Sequence, residues 1–305
     1  MSAIKEAYIM FNGQKVVATY DEGSKTWTAT TNAPANSSWS QPDHIYPVEI
    51  HAVDAANNQV TMTKDDPTYG DQLKIRVLEK TKPTATIVSP TQSSVLGSKE
   101  VDIVLEMVDA GGSGLNETTV VFTVNSQDHK GDLEFADHEG KRRATYHATG
   151  LTDGENTITF QVTDNDGNVS NLATTTFIVS TAAPSLNVTT PTEGLITNSN
   201  KLTVSGSTTP GSGAVTIATV KVNNQTVELS GEGSTKNFSH VITLVEGQNT
   251  ITIVSTDSIG KTTTVTRHVT LDTKAPVITD VHAEAVTVDA GGRVKITFKV
   301  TDAQG

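Results

Sequence analysis

The chain has 305 residues, 35% of them hydrophobic and 5% aromatic, with a formal net charge of -12 at pH 7. This composition excludes nucleic acid as an expected partner, because duplex binding needs clustered Lys and Arg and the longest basic run is KRR at 141–143. The chain has no Cys, which excludes disulfides and thiolate metal sites, and no apolar run approaches the roughly 18 residues that membrane insertion would need.

The first predicted domain, residues 1–82, opens on a hairpin pattern, AYIMFNGQKVVATY at 7–20, without the leading strands of the later domains. It holds both tryptophans of the chain. We expect Trp27 and Tyr46 to lie in its core, with Tyr46 as the corner tyrosine near the penultimate strand of a sandwich. For Trp39, a place in the core and a place in a docking surface are equally favoured.

Trp39, His44 and Tyr46 stand close together in SSWSQPDHIYPVEIHAVD at 37–54, around the start of a predicted strand. A domain without its first strands has an open sheet edge, which a partner can complete by strand addition. These three residues are therefore the candidates for docking onto a larger assembly.

One plan recurs along the chain: an alternating strand ends in Asp, a turn of small residues follows, and a second alternating strand begins. The Asp residues and the prolines that follow each hairpin are Asp54, Asp164 and Asp257, with Pro83, Pro184 and Pro276. Both markers give a period of about 90–110 residues, the size of one immunoglobulin-like sandwich. Period-2 alternation between closely spaced turns predicts an antiparallel sandwich.

This period divides the chain into four predicted domains. They are 1–82, which is divergent and incomplete, then 83–183, 184–276, and 277–305, the start of a fourth domain that is cut off. The last segment matches VDIVLEMVDAGGSG at 101–114, and two strands cannot bury a core, so we expect the natural chain to be longer. The predicted fold is all-β, with tandem immunoglobulin-like sandwiches joined by short Pro-containing linkers into an elongated rod.

Five stretches mark the second and third domains: DAGGSGLNETTVVFTVN (109–125), GENTITFQVTDNDGN (154–168), TVKVNNQTVELS (219–230), EGQNTITIVSTDSIG (246–260) and DTKAP (272–276). In these stretches the chain resembles bacterial Ig-like repeats, and the resemblance extends more loosely to 1–82. Such repeats occur in bacteriophage tail and fibre proteins, in surface adhesins and as accessory modules of secreted enzymes. The resemblance implies a structural or adhesive role without catalysis.

The stretch QVTDNDGNVSN at 161–171 has two interpretations. Asp164, Asp166 and Asn168 alternate around a Gly as in the front half of a calcium loop, so Asp164 and Asp166 are candidate ligands and calcium is the one candidate cofactor. An EF-hand, however, also needs a bidentate Glu, and residues 173 and 174 are Ala and Thr. The sister turns DAANN and DSIGK keep only the first Asp. The pattern therefore favours a hairpin turn.

A polar stretch in the second domain, bracketed by Asp128-His129 and Asp137-His138-Glu139, offers paired His and carboxylates for zinc or for acid–base chemistry. The stretch lies where a sandwich has a polar edge, so solvated side chains are favoured. With no phosphate loop, HExxH or GxSxG motif, we expect no enzyme activity.

Two settings fit such a chain. The N-terminal sequence lacks the basic and apolar regions of a signal peptide, which favours a bacteriophage tail or phage-like particle, and hence a place in the virion. There, the first domain would be anchored to other structural proteins, and the repeats would project towards host cell-surface glycans or proteins. The alternative is a fragment of a secreted adhesin or cell-wall protein at the bacterial surface. Carbohydrate binding beside an exported enzyme is less favoured, because it needs exposed coplanar aromatics.

Overall fold

A computed structural model describes residues 3–302 of the chain. In this part every regular element is a β-strand except four short 3₁₀ turns, at Ser38–Ser40, Pro42–His44, Gly70–Leu73 and Lys130–Asp132. The all-β prediction is confirmed. None of the helical turns in the described residues is long and apolar enough to cross a membrane.

The chain falls into two compact units. One comprises residues up to 94 together with 100–177, and the other comprises 95–99 together with 178 onwards. The predicted domain boundaries and the predicted rod stay predictions.

The first unit begins with one sheet of order β2-β1-β5-β6, in which β7 also pairs with β5. The strands are β1 Ile4–Phe11, β2 Gln14–Val17, β3 Thr19–Asp21, β4 Thr26–Thr28, β5 Tyr46–Asp54, β6 Gln59–Met62 and β7 Lys74–Ile75. β3 and β4 pair only with each other. Phe11, Tyr46, Val48 and Leu73 form a small buried core on this sheet. Within residues 3–82, this region therefore has one five-stranded sheet and the small β3-β4 hairpin, whereas a sandwich has two large facing sheets.

The next strands of the first unit form a closed sandwich. They are β8 Thr84–Ser89, β10 Val101–Val108, β11 Leu115–Val124, β12 Gln127–Asp128, β13 Glu134–His138, β14 Lys141–Ala148, β15 Gly154–Asp164 and β16 Ala173–Val179. One sheet has the order β13-β14-β10-β8 and the other contains β12-β11-β15-β16. Leu105 of the first sheet and Phe122 and Phe160 of the second have no exposed surface, because alternate residues of each strand point inward. β16 continues past residue 177 into the second unit, where the short strand β9 (Val95–Leu96) pairs with its end in parallel.

The second unit contains another two-sheet sandwich. Its strands are β17 Ser185–Thr190, β18 Leu195–Thr197, β19 Lys201–Thr209, β20 Ile217–Val222, β21 Gln225–Val227, β22 Leu229–Ser230, β23 Lys236–Thr243, β24 Gly247–Asp257 and β25 Thr262–Leu271. The sheets have the orders β17-β19-β23-β22 and β18-β25-β24-β20-β21. Asn223 and Asn224 both adopt positive φ in the two-residue turn between β20 and β21, as that turn type requires. Val204, Val220 and Ile253 are among the residues of its continuous core.

A last hairpin pairs β26 (Val277–Ala283) with β27 (Ile296–Thr301). Phe298 on β27 is 57% exposed, whereas Leu105, at the matching place of the aligned strand β10, has no exposed surface. That this hairpin begins a fourth sandwich stays a prediction.

Candidate functional site

The Asp residue that ends the first strand of each repeated hairpin stabilises the following turn through similar hydrogen bonds. Asp164 Oδ1 accepts hydrogen bonds from the backbone N–H groups of Asp166 and Asn168, at 2.9 and 2.8 Å, and its Oδ2 accepts one from the Asn168 side chain at 2.8 Å. Asp54 is bonded in the same way by the Ala56 and Asn58 amides and by the Asn58 side chain. In both turns the carboxylate replaces backbone acceptors that the tight bend leaves unavailable.

The third of these turns is incomplete. Asp257 Oδ1 accepts from the backbone N–H groups of Ile259 and Lys261, but Oδ2 is buried with no hydrogen-bond partner in the described structure. The reason is the residue type at position 261, because Lys replaces the Asn that donates an amide hydrogen in the other two turns. The second Asp is missing from both sister turns, but only the third turn also lacks the Asn.

The turn after β15 also binds the segment that enters the sandwich. The backbone N–H of Glu79 donates to Asp166 Oδ2 at 2.9 Å, and the Asn168 side chain donates to the Glu79 carbonyl at 3.1 Å and to its Oε1 at 3.0 Å. The Ser113 hydroxyl donates to the same Oε1 at 3.3 Å. Asp166 and Asn168 thus contact residue 79, far away in sequence.

Three carboxylates meet at this place. Glu79, Asp109 and Asp164 each offer an oxygen, and these atoms lie within 4.8 Å of one another. Asp109 is held by the backbone N–H groups of Gly111, Gly112 and Gly114. Carboxylate oxygens are the ligands that calcium prefers, so this cluster is where the chain could hold the candidate ion. Asp166 is not in the cluster, and Glu79 and Asp109 were not identified from the sequence. The signal for them is an acidic residue four positions before the junction proline Pro83 and the Asp that opens DAGGSG.

The docking candidates lie in two different environments. Trp39 is 39% exposed and stacks on His44, with ring centroids 4.0 Å apart and planes at 9°. The His44 Nδ1 lies 2.5 Å from the Trp39 carbonyl oxygen, which fixes the pair within two consecutive 3₁₀ turns. Tyr46, by contrast, is only 5% exposed, and its hydroxyl donates to the Asn36 carbonyl at 3.3 Å. Tyr46 therefore lies in the core, bonded to upstream backbone as a corner tyrosine is, and does not present its ring to a partner.

The prediction that Trp27 lies in the core is wrong. Trp27 is 39% exposed and its ring contacts that of Tyr20, 5.1 Å away, across the β3-β4 hairpin. The hairpin does not pair with the main sheet, so its aromatic pair does not reach the core.

The histidines of the polar stretch do not converge on one place. His129 Nδ1 lies 3.2 Å from Asp132 Oδ2 and 3.0 Å from the Tyr146 hydroxyl. His138 Nε2 lies 3.9 Å from a Glu139 oxygen at the β13-β14 turn. A groove of about 560 Å³ is lined by Asp132, Tyr146 and His147, among others. Burial raises the pKa of Tyr146, so its hydroxyl stays a neutral donor.

Comparison with known proteins bears mainly on the sandwich of 185–271. Residues 184–273 match the sequence model of the family described as glucodextranase, domain B. No curated protein matches the chain.

Among solved structures, the fibronectin(III)-like modules of Clostridium thermocellum CbhA are 15% identical, with 62% of this chain and 94% of that chain covered and a TM-score of 0.37. Immunoglobulin domains 1–5 of Sidekick-1 are 12% identical, with 90% and 55% covered and a TM-score of 0.35. SGBP-B of the Bacteroides ovatus mixed-linkage glucan utilization locus, in complex with a mixed-linkage heptasaccharide, is 14% identical, with 92% and 63% covered and a TM-score of 0.22. At such low scores these likenesses carry no conclusion about function.

The paired sheets define the class of fold: an all-β chain that contains Ig-like β-sandwich domains.

Proposed function

We propose that the chain is a non-enzymatic structural and adhesive protein, which docks through residues 1–82 and projects its other Ig-like domains from the point of attachment. The distribution of aromatic side chains supports this. In the first region Trp27 and Trp39 are partly exposed, whereas Phe122, Phe160 and Phe177 of the next sandwich are buried. Trp and Tyr are enriched among the residues that dominate protein interfaces, because they bury a large rigid surface.

The open edges of the first sheet add to this argument. β2 and β6 are its outer strands, and Val17 and Val60 on them are exposed. Edge strands with free N–H and C=O groups accept a further strand. We infer that a partner adds to the first sheet and that Trp39 with His44 forms part of the contact.

The setting that we propose is a bacteriophage tail or phage-like particle, with the chain in the virion, anchored to other structural proteins. The projecting repeats would then meet host cell-surface glycans or proteins, each contact weak and the sum strengthened by repetition. This setting is supported by the sequence resemblance and by the exposed aromatic residues and open sheet edges of the first region.

The alternative is a surface adhesin, a cell-wall protein or a module beside an exported enzyme. The match of 184–273 to a domain of a glucodextranase favours this alternative, because that domain belongs to an enzyme that acts on a carbohydrate.

Sedimentation of the natural protein from its source cells after induced lysis tests the proposal. We expect it to travel with tail-like particles, and recovery in the cell envelope would contradict the particle and support the alternative. The double variant Trp27→Ala/Trp39→Ala should lower the bound fraction about tenfold or more, as loss of interface aromatics does. Ile196→Ala, at an exposed apolar residue of the sandwich of 185–271, is the matched control and should not change binding.

A further inference from the structure

We propose that residues 77–79 form a fixed joint, which fastens the region 3–82 to the sandwich of 84–177 through hydrogen bonds on both sides. We call Val77, Glu79, Ser38, Asp166 and Asn168 the Glu79 joint. This inference goes beyond the proposed function, because the joint is present whichever partner binds the first region.

On the sandwich side, the joint uses both the backbone and the side chain of Glu79. Its N–H is bonded to Asp166 and its carbonyl to Asn168, so neither backbone group depends on water. Its carboxylate lies against Gly111, where a Cβ would come within 2.2 Å of it, and accepts a hydrogen bond from Ser113, which is 1% exposed. A backbone held at both polar groups and a side chain lodged against glycine leave residue 79 little freedom.

On the other side, the joint uses Val77. The Ser38 N–H donates to the Val77 carbonyl at 2.9 Å, and the Val77 N–H donates to the Ser38 hydroxyl at 3.3 Å. Ser38 is buried, and the Val77 side chain packs on the core of the first sheet. Only Leu78 separates this attachment from the one at Glu79. Because a single residue has two soft dihedral angles, the two regions have almost no loop between them in which to reorient.

The sister turns show that this use of the turn is specific. All three turns have an Asp that bonds its own backbone, at 54, 164 and 257. Only the second places Asp at the third position and Asn at the fifth, and these side chains contact Glu79. The corresponding residues of the third turn are Ile259 and Lys261, neither of which offers these groups. Asp166 and Asn168 are therefore positioning residues for the linker, which explains the second Asp of QVTDNDGNVSN.

Distance measurements between spin labels in the full chain test the joint. The chain has no Cys, so Gln14→Cys on β2 and Glu155→Cys on β15 give two unique, exposed labelling sites. The solutions contain EDTA, so that a divalent cation at the three carboxylates does not contribute. We expect a single narrow distance distribution, which Asp166→Ala/Asn168→Ala broadens about twofold or more. Ile259→Ala/Lys261→Ala changes the matching positions of the third turn and should leave the distribution narrow.

Hydrogen exchange gives a second, independent readout. The Glu79 amide should be protected in the parent chain, and the same double variant should speed its exchange about fivefold, as loss of one hydrogen bond does. Thermal melts of the double variant check that the sandwich remains folded. A broad distribution in the parent chain, or an unchanged distribution with an unchanged Glu79 exchange rate in a folded double variant, would overturn the proposal.

Discussion

Arg143 on β14 places its Nη2 atom 2.6 Å from a carboxylate oxygen of Glu106 on the neighbouring strand β10. The other Glu106 oxygen accepts a hydrogen bond from Lys141 Nζ, also at 2.6 Å. The hydrogen bond from Lys141, followed by that from Arg143, lowers the pKa of Glu106 from 4.5 to about 2. The KRR run thus lies on an inner strand of the sheet and binds a carboxylate of this chain, which accounts for its charge without a nucleic acid.

This pair predicts a pH-dependent contribution to stability. Since the pKa of Glu106 is lower in the folded state, its ionised form contributes stability above about pH 4.5, and the contribution is lost as the pH falls through about 2. We expect Glu106→Gln to lower the Tm at pH 7 and to differ less and less from the parent chain towards pH 2. Melts over this pH range measure the difference, with the exposed Glu134→Gln as the control on the same sheet. A difference that stayed constant with pH would contradict the assignment.

The unpartnered Asp257 oxygen predicts a stabilising substitution. Lys261→Asn would supply the side-chain amide that Asn168 and Asn58 donate in the sister turns, and so satisfy the buried Oδ2. We expect a gain of about 1 kcal/mol in the free energy of unfolding, the usual net value of one hydrogen bond, measured by denaturant titration of the full chain.

The reverse exchange is the control for that substitution. Asn168→Lys should destabilise the sandwich of 84–177 by a similar or larger amount, because it leaves Asp164 Oδ2 without its donor in a buried place. Equal stability of the parent and Lys261→Asn chains would mean that Asp257 Oδ2 is already satisfied, for example by water.

The sequence predicts features that depend on short segments of the chain, namely strands and turns. The alternation in 154–164 is enough to fix a strand with every second residue buried, and Asp164 with Gly167 is enough to indicate the turn. The prediction for Trp27 fails because the burial of its side chain depends on whether β3 and β4 join the main sheet. The alternation of apolar residues within a strand does not determine which other strand it pairs with. Glu79 was missed for a similar reason, since its partner Asn168 is 89 residues away. Contacts at such separations depend on the whole fold. The sequence shows the two residues of each contact but not that they meet.

The first region should be the least stable part of residues 3–271. Its buried core consists of Phe11, Tyr46, Val48 and Leu73, whereas the core of 185–271 contains thirteen buried residues drawn from two facing sheets. Because apolar burial contributes about 25 cal/mol per Å², the smaller core leaves less free energy to offset chain entropy. We expect the fragment 1–82 to melt below 184–276. A cooperative melt of 1–82 at or above that of 184–276 would contradict this.

Hydrogen exchange tests the same difference in stability in the full chain, without dividing it into fragments. The amides of β1 and β5 should exchange faster than those of β19 and β24, since opening the smaller core costs less. Slower exchange in β1 and β5 would show that the region gains stability from the Glu79 joint, which the fragment lacks.

Gly206 on β19 packs tightly against the neighbouring strand and a core ring in the sandwich of 185–271. A Cβ at this position would lie 2.2 Å from the Asn187 carbonyl oxygen and 2.8 Å from the Phe238 ring. Asn187 is on the paired strand β17 and Phe238 is 3% exposed, so neither can move aside without disturbing the sheet or the core. We expect Gly206→Ala to cost about 1–3 kcal/mol, as overpacking of a core does. Gly213→Ala is the matched control, because a Cβ there meets nothing within 4 Å. Denaturant titrations of both variants decide the matter, and equal midpoints would show that β17 and β19 are not packed as described.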